Sequence, residues 1–398
     1  MGKYISKAYV YYVAGDVRVE DITIVSGPRD VVIKVLAVGR CGTDKTIYRK
    51  GHYRVDSHAP VVLGHELVGE VVEVGAEVAS LAEGVGFLAG QRVPPEARTF
   101  SIGERVTVQG RVARYRDDLM LLDNPINNLS FYINGAYAQY MLIPEDFIRS
   151  GSVFHVPDSV NDLDAALVEP AACALESVFS TPHPVGIDGE GRHLFQAGIR
   201  PGGNTCVIGS GTVSMIYAYL ATLEGADRVI LLVRSEAKAA LAARILGDTV
   251  APVLVPRLDG LGLAEKRAAE DRIVAELEAL TDGYLFDDVV AACPDPDAHR
   301  LMLKLYNRSG YAVGACFGGT HEVVDAADID QHHYRLAKTI GTSGTSNRTM
   351  QTVIDRLARG QLDLARFAAN ERYTFETPPE EFFTTYGGGL KPILYPWD

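Results

Sequence analysis

Residues 39–69 read GRCGTDKTIYRKGHYRVDSHAPVVLGHELVG, and most of the side chains able to do chemistry gather there. Cys41 stands in a Cys41-Gly42-Thr43-Asp44 turn, and Gly64-His65-Glu66 closes an apolar run. One thiolate, one imidazole and one carboxylate make a donor set that suits zinc with a coordination position left open. Taken singly, a cysteine or a histidine is more often a core residue than a ligand. Together with Glu169 in a later Val-Glu-Pro segment, Cys41, His65 and Glu66 favour a metal site. Lys45, Tyr48, Arg49, His52, Arg54 and His58 crowd the same stretch and point to a hydrophilic substrate. Most of these six are expected at the rim or in structural roles.

A second constellation is Gly209-Ser210-Gly211-Thr212-Val213-Ser214, set between an apolar strand and an apolar helix. Gly209 allows a tight turn, and Gly211 lets a pyrophosphate approach the helix N-terminus. The third glycine of the dinucleotide fingerprint is replaced by Ser214, which is small enough to keep helix and strand in contact. A bare Gly-x-Gly is weak, but between a strand and a helix that open a βαβ unit it is informative. At the end of the next strand a carboxylate would bind the ribose of NAD, yet the chain has Arg234-Ser235 there. That pair can neutralise and hydrogen-bond a 2′-phosphate, which favours NADP over NAD. A surface arginine in an NAD enzyme is the alternative.

The elements that must position these residues follow from periodicity. Residues 1–37 alternate as short antiparallel strands, and residues 67–78 and 135–144 do so again. Residues 79–102 lack a period and read as a surface excursion. From residue 205 onward strands and helices alternate, with strands at 205–208, 228–233, 250–255, 285–291 and 310–316. This is an α/β chain in which a mostly β domain accompanies a doubly wound parallel sheet. A length of 398 residues suits two domains. A later strand at 337–342, a helix at 350–359 and a strand-like end at 390–395 are read as a return to the first domain.

A formal charge of −13 argues against a nucleic-acid partner, and the four arginines between Arg105 and Arg116 read as a solvated hairpin face. The five cysteines form no CxxC pair, which suits a reducing cytoplasm. No apolar run reaches membrane-spanning length, so no membrane partner is expected.

Five motifs, Gly39-Arg-Cys-Gly-Thr-Asp44, Gly64-His-Glu66, Gly103-Glu-Arg-Val106, Val168-Glu-Pro170 and Val207-Ile-Gly-Ser-Gly211, carry a resemblance. In order and rough spacing the chain resembles the medium-chain zinc-dependent alcohol dehydrogenases, and its Glu-Pro pair the sorbitol, polyol and threonine branch. The resemblance implies a GroES-like β domain, residues 1–168 and 338–398, around a Rossmann domain, residues 169–337. It implies Cys41, His65 and Glu169 as zinc ligands, Glu66 as a ligand or exchangeable neighbour, and Thr43 as the hydroxyl that takes the substrate's proton. It further implies that backbone groups around Gly314 hold the nicotinamide amide, and that Lys391 pairs with the pyrophosphate or is a surface lysine.

Three departures qualify the likeness. Residues 107–134 hold no cysteine, so one catalytic zinc and no structural zinc is expected. Thr46 stands where a histidine often follows the first ligand, so the outer proton relay differs. Residues 79–102 are longer than the usual connection. The expected activity is hydride transfer between a nicotinamide cofactor and a polar secondary alcohol or ketone: a polyol, sugar, cyclitol or sugar phosphate. A zinc-free quinone or enone reductase and a non-catalytic nucleotide-binding protein are the alternatives. By the same resemblance a homodimer or homotetramer is expected.

Overall fold

The computed structural model describes residues 2–81, 99–111, 115–116, 119–120, 128–319 and 329–398. The chain divides into two compact units, Met1–Ala172 with Thr345–Asp398, and Cys173–Gly344.

The first unit opens with β1 (Lys3–Val13) and β2 (Asp16–Val25), an antiparallel hairpin that turns at Gly15. β3 (Val31–Gly39, VVIKVLAVG) is a nearly continuous apolar run, as a strand covered on both faces should be. Cys41 caps the helix that follows, α1 (Gly42–Lys50), with its sulfur accepting from the Thr43 N–H. Asp44 in the first turn, Arg49 and Lys50 in the last, and Gly51 at the C-cap with φ 72° suit the dipole and the stop. Next come α2 (Tyr53–Asp56), β4 (Val61–Val62), β5 (Glu66–Val74) and β6 (Arg105–Val108). A small hairpin, β7 (Tyr115–Arg116) with β8 (Leu119–Met120), precedes β9 (Tyr140–Ile143), α3 (Glu145–Arg149) and β10 (Val153–His155). Helices α4 (Asp162–Ala166) and α5 (Val168–Phe179) follow.

The second unit begins within α5, and its first strands form a hairpin that periodicity did not anticipate, β11 (Pro182–Ile187) with β12 (His193–Ala197). Its prolines and glycines resemble a loop in the sequence. The rest alternates strictly: β13 (Asn204–Ile208), α6 (Thr212–Leu223), β14 (Arg228–Val233), α7 (Glu236–Leu246), β15 (Ala251–Leu254) and α8 (Leu263–Leu280). Then come β16 (Asp288–Ala291), α9 (Pro296–Lys304), β17 (Val313–Cys316), α10 (Ile329–Tyr334) and β18 (Lys338–Gly341). All pairings are parallel and the order is β15-β14-β13-β16-β17-β18, the doubly wound order of a Rossmann sheet.

β18 corrects one expectation. Residues 338–341 pair with β17 as the edge strand of the parallel sheet, so they do not open the return to the first unit. Half-covered alternation along this strand would fit the edge of either sheet, which is why the sequence could not assign it.

The chain returns to the first unit through α11 (Asn347–Ala358), β19 (Ala368–Tyr373), α12 (Pro379–Thr384) and β20 (Lys391–Leu394). The seven-stranded sheet there runs β10-β6-β5-β3-β20-β19, with β9 also on β3. β3 thus lies between β5 and β20, with Gly39 opposite both Glu66 and Ile393. That register builds the site. The excursion at 79–102 falls largely outside the described residues. Of the basic run, Arg105 is no free surface charge: it donates to Asp162 and to the Pro157 and Val160 carbonyls.

Candidate functional site

Three neighbouring strands deliver the groups. The end of β3 leads into Cys41, His65 immediately precedes β5 and Glu66 opens it, and the start of β20 carries Lys391. Ligand atoms of Cys41, His65 and Glu66 all lie within 4.8 Å of one another. Glycines make the room. A Cβ at Gly39 would stand 2.6 Å from Glu66 Oε2, and one at Gly110 would stand 3.2 Å from His65 Cβ.

The residues fit a zinc ion. Sulfur, imidazole and carboxylate are its ordinary donors, and Glu66 Oε2 is buried without a hydrogen-bond partner. Electrostatics agree. Burial works to lower the His65 pKa, but Cys41, Asp44 and Glu169 outweigh it and hold the imidazole well above its usual value. Lys391 behaves alike, with burial overcome by Glu66, Cys41 and Glu169. A negative field that gathers protons in this way would equally attract a divalent cation, which displaces them.

Glu169 stands in the first turn of α5 and contributes its charge to His65 and Lys391, but it is not part of the tight three-residue group. Thr43 is exposed beside Cys41, its N–H donating to the sulfur over 3.5 Å. Thr46 donates its hydroxyl to the Gly42 carbonyl at 3.2 Å. His52 caps α2, and His58 bonds within its own turn, so both serve the local backbone.

Lys391 is a correction. Its ammonium lies 2.7 Å from Glu66 Oε1 and both side chains are buried, so it is neither a surface lysine nor available to a pyrophosphate. A lone lysine in an apolar terminal run was the only signal of this. Asp44 and Tyr137 also had no assigned role in the sequence. Tyr137 donates its hydroxyl to Asp44 Oδ2 at 2.6 Å, and Asp44 Oδ1 lies 3.9 Å from His65 Nδ1. Burial raises the Asp44 pKa, against the pull of His65 and the Tyr137 hydroxyl.

In the second unit the turn after β13 has the form a nucleotide needs. Gly209 has φ 145°, and a Cβ there would meet Ser214 Oγ at 2.6 Å and the Ala292 carbonyl at 3.2 Å. Gly211 caps α6, and a Cβ there would find no atom within 4 Å, which leaves its backbone open to approach. Ser210, Thr212 and Val213 are half-buried around that N-terminus, and Ser214 is buried and donates to Ala292. Arg234 ends exposed after β14 with its guanidinium 2.7 Å from Asp295, while Ser235 caps α7. Gly314 is tightly packed. It sits inside β17, flanked by β16 and β18, and a side chain there would collide with the Tyr306 hydroxyl. Packing requires a glycine here, and the carboxyl end of the strand is Cys316.

Residues 27–158 match the alcohol dehydrogenase GroES-like domain. The sorbitol dehydrogenase of Halalkalibacterium halodurans is 30% identical over 286 residues, 71% of this chain and 68% of that protein. The L-threonine 3-dehydrogenase of Cutibacterium acnes is 29% identical over 222 residues, 56% of this chain. The chain spans about half the length of that relative, 54%. A zinc-binding dehydrogenase from Sinorhizobium meliloti, solved bound to NADP, superposes with a TM-score of 0.74 at 22% identity, covering 99% of this chain and 100% of the other. At that identity the likeness speaks for the fold. The chain belongs to the zinc-dependent medium-chain alcohol dehydrogenase superfamily, in its sorbitol-, polyol- and threonine-dehydrogenase-like branch. No described helix is long and apolar enough to cross a membrane.

Proposed function

We propose that this protein is a zinc-dependent oxidoreductase that moves a hydride between a nicotinamide cofactor and a polar secondary alcohol or ketone. The observation that carries the reading is the convergence of Cys41, His65 and Glu66 within 4.8 Å. Glu169, whose charge acts on His65, is the proposed fourth donor. A zinc ion held there supplies a Lewis acid that makes an alcohol easier to deprotonate near neutral pH. The chain's own groups do the rest. The Thr43 hydroxyl takes the alcohol's proton, and the turn from Gly209 to Val213 receives the cofactor's pyrophosphate at the α6 N-terminus.

Arg234 and Ser235 support NADP over NAD, since a guanidinium and a hydroxyl suit a 2′-phosphate. One catalytic zinc without a structural one follows from the absence of cysteine between residues 107 and 134. The substrate class is a polyol, sugar, cyclitol or sugar phosphate, in keeping with a relative named for sorbitol. Five scattered cysteines without a CxxC pair fit a cytoplasmic enzyme, and a homodimer or homotetramer is the expected assembly. Metal analysis with a polyol and sugar screen against NAD and NADP tests the reading. Protein that binds no zinc and turns over no alcohol or ketone would falsify it.

A further inference from the structure

We propose that Tyr137 is a positioning residue of the metal site, acting through Asp44 on His65, and that its hydroxyl helps set zinc affinity. The proposal rests on the metal-dependent reading above and adds a residue to it.

Tyr137 and Asp44 are both 0% exposed. The Tyr137 hydroxyl is 2.6 Å from Asp44 Oδ2, with the Gly39 carbonyl farther off at 3.2 Å. The other carboxylate oxygen, Oδ1, is buried without a hydrogen-bond partner and faces His65 Nδ1 across 3.9 Å. Ser130 Oγ reaches the same nitrogen at 3.4 Å. Nδ1 is therefore turned toward Asp44 and Ser130, which leaves Nε2 as the ligand atom. A histidine ligand normally donates its second ring N–H to a carboxylate, which fixes ring orientation and strengthens the donor. Here Ser130 Oγ is the group within hydrogen-bond distance of Nδ1, and Asp44 Oδ1, a buried oxygen without a partner 3.9 Å away, sets its negative charge against the same nitrogen.

What holds Asp44 in that orientation is Tyr137. The tyrosine ring is itself fixed, edge-on to Phe382 and Phe383 with centroids 5.2 and 5.6 Å away. It also dictates the residue before His65: Gly64 has φ 96°, and a Cβ there would stand 2.8 Å from the Tyr137 ring and 2.9 Å from its backbone nitrogen. One side chain thus touches the metal loop twice, by packing on Gly64 and by a hydrogen bond to Asp44. Tyr137→Phe removes only the second contact. The buried carboxylate then loses its donor and is free to turn from the imidazole.

The test is a double-mutant cycle on zinc affinity, measured by competition with a chromophoric chelator. Tyr137→Phe should weaken zinc binding about tenfold, the scale of losing an outer partner of a metal histidine. In an Asp44→Asn background the same change should cost less than about twofold, because its route is gone. Unchanged affinity in Tyr137→Phe overturns the proposal, as does an undiminished loss in the Asp44→Asn background. Should Asp44→Asn fail to fold, the cobalt-substituted protein decides. A visible spectrum altered by Tyr137→Phe supports the role, and an unaltered one removes it. Wild-type protein that takes up no zinc would instead sink the metal-dependent reading itself, and this proposal with it.

Discussion

Lys391 donates to Glu66 Oε1 at 2.7 Å, and this ion pair is sealed in the protein, with the two side chains 4% and 1% exposed. The pair joins β20 to β5 across the strand that leads into Cys41. It leaves Glu66 Oε2 as the carboxylate oxygen without a partner, on the side where Gly39 makes room.

Breaking the pair from the lysine side should be costly. Lys391→Met strands a buried carboxylate, and removing one partner of such a pair typically costs about 3–5 kcal/mol. Urea unfolding of the zinc-free variant should show this loss. Zinc should then stabilise Lys391→Met more than wild type, because the freed carboxylate gains a cation that wild-type Glu66 already has in the ammonium. Equal zinc-dependent shifts in melting temperature would mean that Lys391 and the metal do not share Glu66.

The proposed sulfur ligand gives a sharper test. Cys41→Ser keeps the helix cap but replaces the soft donor, so zinc content should fall and turnover should drop more than about a thousandfold, several kcal/mol of lost Lewis-acid assistance. Cofactor binding should persist, since the turn from Gly209 to Val213 lies in the other unit. Retained turnover would take Cys41 out of the site.

Why some of this was readable and some was not has a physical explanation. Cys41, His65 and Glu66 sit in short glycine-flanked motifs, so their chemistry shows in a local window. The parallel sheet was legible because each apolar run from Thr205 to Cys316 is followed by a helical period. Lys391 and Glu66 are 325 residues apart and meet only through the β5-β3-β20 register, which no local pattern encodes. Tyr137 looks like any core tyrosine on a strand until Asp44 is placed beside its hydroxyl. β18 failed for another reason. An alternating strand is defined by what covers it, and nothing local to residues 338–341 tells that their neighbour is β17.

On the proposed NADP reading, cofactor choice turns on Arg234. Arg234→Ala removes the guanidinium at the end of β14 that suits a 2′-phosphate, worth about 2 kcal/mol for a bond to a charged group. KM for NADP should rise by roughly 30-fold, with less than about twofold change for NAD. A strong NAD preference in wild type would overturn the NADP reading. Asp295 moderates the site by pairing with Arg234, so Asp295→Asn should lower KM for NADP.

Asp295 also caps α9, and the next acidic residue supports the same corner of the nucleotide unit. Asp297 accepts both Lys266 contacts at 2.9 Å and one from Arg300 at 2.5 Å. Burial alone would raise its pKa, but the two cations outweigh burial and leave it below the ordinary value. A carboxylate depressed in the folded state adds stability above its unfolded pKa of about 3.9, and that stability fades as pH falls through the folded value. Asp297→Asn should therefore cost about 2 kcal/mol at neutral pH, a figure for a hydrogen-bonded charge that is not fully buried. Urea midpoints of variant and wild type should converge below about pH 4, the other acidic groups titrating alike in both. A penalty of constant size down to the lowest pH at which the protein folds would show that Asp297 acts through packing and the α9 turn, with its charge playing no part.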